Sequence, residues 1–375
     1  MKQVNRHTIS NENFKQETYP IVSVIMPVYN EEKYVEEAIR SILNQKFSDF
    51  EFIIIDDGSS DCTPDIIRSF SDVRIKLLFN EKNKGNYPAR NRACQQAKGR
   101  YIAVMDADDI AMPERLEKQV NYLEERTDLL ALGSEYQFNT HKNKHNLPLK
   151  YEDVCFSLLK DFSLLHPSLM VRSSVFNSLG GYNENYTYAS DYDLFCRLAL
   201  NGKIEILPDI LMTYRMHENQ ISNLKKKDQS KFAYKIRQKY QVAFINRYKS
   251  SNQAFVSPIE VGLPEIGLAI CYYTYANSSN NSIYRELADK TIDVVYKIVT
   301  KNMPLCIENG LCGLGCGLQY LIQNGFLEGD INEILEDIDS EVIKEYNKPS
   351  DNNLKNDLLL YLNYRGINNA SLNID

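Results

Sequence analysis

Two short acidic runs carry the residues whose types and spacing point to chemistry. Asp106 and Asp108 are separated by one alanine and follow the apolar run 101–105, and Asp56-Asp57 ends a neighbouring apolar run. Two carboxylates held two residues apart offer oxygen ligands to one hard cation and leave positions open for phosphate oxygens. Such a cation neutralises charge on a departing diphosphate. An isolated Asp-x-Asp is more often a solvated turn, and the second acidic run is what favours a metal site.

The elements that position these runs alternate between strands and helices. Apolar, β-branched runs predict buried strands, and apolar residues at helical spacing predict the helices between them. Strands are predicted at 21–28, 51–55, 74–79, 101–105, 168–171 and 204–214, and helices at 87–98 and 191–200 and from residues 34, 63 and 113. This alternation predicts a mostly parallel sheet covered by helices, with ligands bound beyond the carboxyl ends of the strands. The acidic runs fall at those ends.

Length and composition predict a soluble, two-part chain. We predict a flexible tail at 1–18, an α/β domain at 19–222, a linker and helix at 223–257, and a helical domain at 258–375. A net charge of −7 argues against general nucleic-acid binding. The eight scattered cysteines fit free thiols in a reducing cytoplasm. There is no signal peptide and no membrane-length apolar run, so we expect a cytoplasmic protein that reaches any membrane-bound acceptor by peripheral association.

Six motifs resemble the family 2 glycosyltransferases. They are VSVIMPVYNEEKYVEEAIRSILNQKFSDFEFIIIDDGSSDCT, NKGNYPARNRA, GRYIAVMDADDIAMPERLEKQV, HPSLMVRSSVF, GGYNENYTYASDYDLFCRL and YRMHENQIS. They occur in the order and at the spacing of that family over about 200 residues. The resemblance implies a three-layer, Rossmann-like nucleotide-diphospho-sugar transferase fold (GT-A), here followed by an all-α domain. It also implies inversion at the anomeric carbon of the donor sugar.

The resemblance also implies roles for the matching residues. Several positions match the family's contacts to the nucleotide-sugar: Pro27, Tyr29 and Glu31 at the base and ribose, Asp57 at the base, Arg90 near the base and diphosphate, and Asp106 at the ribose side of the metal motif. Asp108 matches the ligand of a bound Mg²⁺ or Mn²⁺. His217 matches a position that in some relatives reaches the metal or the diphosphate, although a lone histidine is more often structural.

Asp191 matches the position of the family's general base. An inverting transfer needs a carboxylate that takes the proton of the acceptor hydroxyl as its oxygen attacks. The family often has Glu-Asp here, whereas this chain has Ser190-Asp191, which leaves the acceptor contacts open. Asp191 also fits a helix cap, and Asp193 is a competing base that we expect to point away from Asp191.

The C-terminal third has a weaker resemblance. Two runs within 258–345 look like helical hairpins of lanthionine-synthetase-C-like proteins, with a Gly-rich helix start around Cys312 and Cys316. Two hairpins are too few to close a toroid, and no histidine adjoins these cysteines, so we expect no zinc site. The simplest interpretation is a helical accessory domain.

These patterns leave three functions open. The first is an inverting, metal-dependent transferase that moves a hexosyl or N-acetylhexosaminyl group from a UDP-sugar to a glycan, lipid-linked or peptide acceptor in polysaccharide biosynthesis. The second is a nucleotidyltransferase, which would need a Gly-rich phosphate loop where this chain has Pro-Val-Tyr-Asn-Glu. The third is a catalytically weak sugar-nucleotide-binding protein whose helical domain recognises a partner. The full set of aspartates favours the first.

Overall fold

The computed structural model describes residues 19–140, 147, 149–160, 164–218, 220–251, 264–279, 282–300, 303–307, 310–348 and 352–367. The chain divides into two compact units, Met1–Ala233 and Tyr234–Asp375. The predicted tail at 1–18 lies outside the described residues. The predicted borders after residues 222 and 257 stay predictions.

The strands in the described part of the first unit form one eight-stranded sheet. Its strands are β1 (Val22–Val28), β2 (Phe50–Asp56), β3 (Ile75–Phe79), β4 (Tyr101–Val104), β5 (Ile110–Ala111), β6 (Leu129–Phe138), β7 (Met170–Arg172) and β8 (Lys203–Tyr214). Their order across the sheet is β3-β2-β1-β4-β7-β6-β8-β5. The first four strands are parallel, whereas β7 is antiparallel to both its neighbours and β5 is antiparallel to β8. The sheet is therefore mixed, and the predicted parallel arrangement holds for its N-terminal half.

Helices lie between most of these strands, as predicted, and two more follow β8. They are α1 (Val35–Leu43), α2 (Thr63–Arg68), α3 (Asn86–Cys94), α4 (Arg115–Glu125), α5 (Tyr151–Lys160), α6 (Ser173–Ser178), α7 (Ser190–Asn201), α8 (Ile221–Leu224) and α9 (Lys226–Ser251). Every residue of β1 and β2 is buried, as expected for strands covered on both faces. The predicted α/β fold is thus confirmed, and its core joins these strands to the apolar face of α1.

The second unit is helical in its described residues, which confirms the predicted all-α region. Its helices are α10 (Pro264–Ser279), α11 (Ser282–Ile298), α12 (Leu311–Gln323), α13 (Ile331–Tyr346) and α14 (Asn352–Arg365). The glycines of α12 permit close packing, because a Cβ on Gly315 would lie 2.6 Å from the Tyr361 ring and one on Gly317 would lie 2.0 Å from Ile266. The likeness to lanthionine-synthetase-C-like hairpins stays a prediction. Among the described helices, none is both long and apolar enough to cross a bilayer.

Candidate functional site

The acidic loop after β4 lies at the carboxyl end of the parallel half of the sheet. The Met105 amide extends the pairing of β4 with β1 by donating to the Ile25 carbonyl at 3.0 Å. One carboxylate oxygen from each of Asp106, Asp108 and Asp109 lies within 4.8 Å of the others. The two predicted carboxylates therefore lie together, and Asp109, which had no predicted role, joins them.

Arg215, directly after β8, fixes the inner side of this loop. Its backbone amide donates to Asp109 Oδ1 at 3.0 Å, and its guanidinium donates to the carbonyl of Asp108. The same guanidinium bonds Glu37 at 2.6 Å and the Tyr34 carbonyl at 2.9 Å, at the start of α1. Arg215 thus ties the acidic loop to α1, a role that the sequence did not predict.

His217 lies beside Asp108. Its Nε2 is 3.0 Å from Asp108 Oδ2, and its ring lies 4.6 Å from that of Tyr34. Its Nδ1 is buried and has no hydrogen-bond partner among the described residues. His217 can therefore orient the Asp108 carboxylate, and its assignment as a metal ligand stays a prediction.

Two buried arginines lie behind the acidic loop. Arg90 on α3 is 1% exposed, pairs with Asp106 and also donates to the Met105 carbonyl at 3.3 Å. Arg115 on α4 is fully buried and donates to the Val104 carbonyl at 2.7 Å. Burial lowers the pKa of Arg115 to about 9. Arg90 thus lies next to the acidic loop, and its predicted place near the base and diphosphate stays a prediction. Arg115 had no predicted role.

The donor set of the loop fits a hard divalent cation. It consists of carboxylate oxygens, which Mg²⁺ and Mn²⁺ prefer. The Oδ2 atom of Asp109 is buried without a hydrogen-bond partner among the described residues, although a buried carboxylate oxygen normally has one. Burial and then the neighbouring Asp106 raise the pKa of Asp108. This buried negative charge is what a cation would neutralise.

The three residues predicted to contact the nucleotide base and ribose lie at or just after the carboxyl end of β1. Pro27 is buried within β1, and Tyr29 is 45% exposed. The Glu31 amide donates to Thr63 Oγ1 at 2.8 Å, which links it to the start of α2. Burial, and then the charges of the acidic loop, raise the pKa of Glu31 to about 8. Glu31 and the acidic loop therefore interact electrostatically.

Asp57 organises a neighbouring loop. Its carboxylate accepts hydrogen bonds from Asn80 Nδ2 at 2.6 Å, from the Lys84 amide at 3.0 Å and from the Gly85 amide at 2.8 Å. It is 2% exposed. In this structure Asp57 holds the loop that leads into α3, and its predicted contact with the nucleotide base stays a prediction.

Asp191 lies in the first turn of α7, where Tyr87 contacts it. Asp191 Oδ1 accepts from the Tyr192 amide at 2.8 Å, and its carboxylate also accepts a hydrogen bond from the Tyr87 hydroxyl. Burial raises the pKa of Asp191 to about 6. Asp193, in contrast, is fully buried and pairs with Arg197 at 2.7 Å. Of the two candidate bases, Asp193 is engaged in an interior ion pair.

A stack of aromatic residues lies behind Asp191. The rings of Tyr87 and Tyr182 are stacked 5.4 Å apart, and the Tyr182 hydroxyl is 2.8 Å from Nε2 of buried His166. Both glycines of the preceding turn, Gly180 and Gly181, have positive φ, a conformation that glycine adopts without steric cost. Tyr182 is 3% exposed and so lies inside the protein.

The first unit, which contains this site, resembles known proteins. The model of Glycosyl transferase family 2 matches residues 23–179. An uncharacterised glycosyltransferase of Methanocaldococcus jannaschii is 40% identical over 219 residues, which are 55% of this chain and 75% of that protein. An Escherichia coli UDP-Glc:α-D-GlcNAc-diphosphoundecaprenol β-1,3-glucosyltransferase is 31% identical over 221 residues, 56% of this chain and 82% of that protein. The crystal structure of S. aureus TarS aligns with a TM-score of 0.50 at 19% identity, over 68% of this chain and 43% of that chain.

Proposed function

Since this chain belongs to the family 2 glycosyltransferases and is itself a glycosyltransferase, we propose that it transfers a hexosyl or N-acetylhexosaminyl group from a UDP-sugar with inversion. The acceptor is a hydroxyl group of a glycan, lipid-linked or peptide molecule. One observation carries the proposal: Asp106, a member of the cluster of three carboxylates, interacts electrostatically with Asp191. Asp191 in turn accepts a hydrogen bond from Tyr87. A cation site and a base are the two groups that this transfer needs.

We assign the divalent cation to the acidic loop. Asp108 and Asp106 would hold it, with His217 as the third predicted ligand and Asp109 beside them. When bound, Mg²⁺ or Mn²⁺ neutralises charge on the leaving diphosphate. Arg215 keeps the loop in place through the Asp109 carboxylate and the Asp108 carbonyl.

We assign the base to Asp191. Its carboxylate takes the proton of the acceptor hydroxyl while the hydroxyl oxygen forms a bond to the anomeric carbon on the face opposite the diphosphate. The bond between that carbon and the diphosphate oxygen breaks, and its electron pair leaves with UDP. Before this step, the Tyr87 hydroxyl favours the ionised form of the carboxylate.

The UDP-sugar donor is supported by two observations. Among the residues predicted to bind the nucleotide, Pro27, Tyr29 and Glu31 lie at or just after the carboxyl end of β1, and Asp57 lies just after that of β2. Asp106 follows β4 and pairs with Arg90 of α3. In addition, the name of the E. coli relative specifies a UDP-Glc donor and a diphosphoundecaprenol-linked acceptor. By that likeness we favour a lipid-linked acceptor for this chain.

UDP release from a panel of UDP-sugars, with and without Mn²⁺, tests the proposal. We expect Mn²⁺-dependent release with at least one donor, and loss of release in Asp108→Asn. Asp209→Asn is the matched control, because Asp209 pairs with Lys118 at the surface. Nucleotide binding without turnover of any donor would favour the alternative, a sugar-nucleotide-binding protein. Metal-independent turnover would contradict the assignment of the acidic loop.

A further inference from the structure

Three apolar side chains are exposed next to the candidate site. Met216, Ile221 and Leu224 are 48%, 46% and 65% exposed, and α8, which contains the last two, has no buried residue. Single exposed apolar residues are normal on protein surfaces, whereas a group of them marks an interaction surface. These three lie within nine residues of one another in the sequence.

Four exposed lysines follow directly. They are Lys225, Lys226, Lys227 and Lys231, and Glu218 and Asp228 are the two acidic residues among residues 216–231. None of the four forms an ion pair with a residue that the structure describes, although Lys225 lies 5.9 Å from the Tyr188 ring. The whole chain has a charge of −7, so this cationic segment opposes the overall charge of the protein. We call residues 216–231 the basic apolar segment.

The basic apolar segment is anchored to the end of β8, where the candidate site begins. Asn223 Nδ2 donates to the His217 carbonyl at 3.0 Å, and Gln220 Nε2 donates to the Arg215 carbonyl at 2.8 Å. His217 in turn contacts Asp108. The segment is therefore fixed next to the acidic loop, and whatever binds it is held near the site of transfer.

We propose that the basic apolar segment docks on the surface of a lipid bilayer that contains anionic phospholipids. Lysines attract the negative surface of such a bilayer, and adjacent apolar side chains enter its interface. A soluble anionic polymer would account for the lysines, but it would leave the exposed leucine and isoleucine without a role. Docking would bring a lipid-linked acceptor to Asp191, and this consequence rests on the proposed function.

Vesicle co-sedimentation of the full chain tests the docking. We expect binding to phosphatidylcholine vesicles that contain roughly 30% phosphatidylglycerol, weak binding to pure phosphatidylcholine, and a decrease in binding as salt is added. The triple variant Lys225→Glu, Lys226→Glu, Lys227→Glu should weaken binding on the order of 100-fold. Leu224→Asp should also weaken it, because a charged side chain cannot enter the apolar interface.

The control variant carries the same change of charge elsewhere. Lys290, Lys297 and Lys344 are exposed lysines of the helical unit, and their replacement by glutamate should leave vesicle binding within about twofold. Equal losses in the two triple variants would overturn the proposal, because overall charge would then explain binding. Equal binding to both kinds of vesicle, or binding of soluble polyphosphate without vesicle binding, would also overturn it.

UDP release from a water-soluble donor separates this proposal from the proposed function. The lysine variant should release UDP at the rate of the unmodified chain, because none of its lysines contacts the acidic loop or Asp191. A chain that binds vesicles and turns over no donor would refute the proposed function alone. A chain that turns over donor and ignores anionic vesicles would refute the docking alone.

Discussion

Replacing Tyr87 with phenylalanine removes one hydroxyl group from the surroundings of the proposed base. That hydroxyl donates a hydrogen bond to the Asp191 carboxylate and so lowers the pKa of Asp191 against the effect of burial, which raises it to about 6. Without the bond, the ionised form loses stabilisation and the pKa of Asp191 rises further. The substitution retains the aromatic ring and with it the stack against Tyr182.

The size of the shift follows from the strength of the bond. A hydrogen bond to a charged group contributes about 1.5–3 kcal/mol, and 1.36 kcal/mol corresponds to one pKa unit, so the shift is about one to two units. Asp191 keeps some solvent exposure, and water would replace part of the lost bond, so we expect about one unit. The pKa of Asp191 should then lie at about 7 in the variant.

The assay is the pH dependence of kcat/KM for UDP release. A general base works when it is ionised, so activity falls as the pH drops below the pKa of Asp191. At pH 6 about half of the unmodified enzyme and about one-tenth of the variant carry an ionised base, which gives about a fivefold loss. At pH 8.5 the two should agree within about twofold, because both bases are ionised.

Tyr182→Phe is the matched control. It removes a hydroxyl from the other tyrosine of the same stack, and that hydroxyl bonds to His166. In this variant, the fall of kcat/KM on the acid side of the profile (the acid limb) should stay near pH 6. The reasoning is refuted if Tyr87→Phe leaves the acid limb in place, or if both variants shift it equally, because the shift would then reflect general disturbance of the aromatic stack.

Three further predictions follow from the same structure. Asp191→Asn should bind UDP-sugar nearly normally and lose transfer by about 10²–10⁴-fold, and single-turnover rates within tenfold of the unmodified enzyme would exclude Asp191 as the base. Asp108→Asn should abolish Mn²⁺-dependent binding of UDP in calorimetry, and tight binding with Mn²⁺ would contradict the ligand assignment. Gly317→Ala should lower the free energy of unfolding by about 1 kcal/mol, because its Cβ would lie 2.0 Å from Ile266 and the overpacking exceeds the gain in helix propensity. Gln323→Ala, at an exposed end of the same helix, is the thermal-unfolding control and should change stability by less than about 0.5 kcal/mol.

The sequence predicted the parts of the fold that local patterns determine. Strands β1, β2 and β4 are continuous apolar runs, and each ends in the polar residues that form the site. Strand β6 escaped prediction because its second half, Gly-Ser-Glu-Tyr-Gln, is polar and resembles a loop. Its strand conformation depends on pairing with β8, more than 60 residues later in the chain. Such long-range pairing leaves little local signal.

The sequence likewise pointed to some residues of the candidate site and missed others. Asp106 and Asp108 were proposed because they are neighbours in the sequence, and Asp191 was proposed through the family resemblance. Tyr87 was missed because its partner Asp191 lies far along the chain, so no spacing rule connects them. The available signal for Arg215 was the Tyr-Arg-Met-His motif, in which we gave a role to the histidine alone.

The charges around the acidic loop explain why side chains from several elements contact it. Four carboxyl groups interact there: Glu31, Asp106, Asp108 and Asp109. Three buried guanidinium groups oppose them: Arg90, Arg115 and Arg215. Arg90 and Arg215 donate to the loop or to the residue before it, and Arg115 donates to the end of β4, so the three arginines fix the shape of the loop. Burial and mutual repulsion still raise the pKa of Glu31, Asp108 and Asp109, so the ionised carboxylates are not fully compensated. Because isolated buried charge is costly, a divalent cation would stabilise the ionised carboxylates, and the phosphates of a nucleotide-sugar would follow the cation into the site.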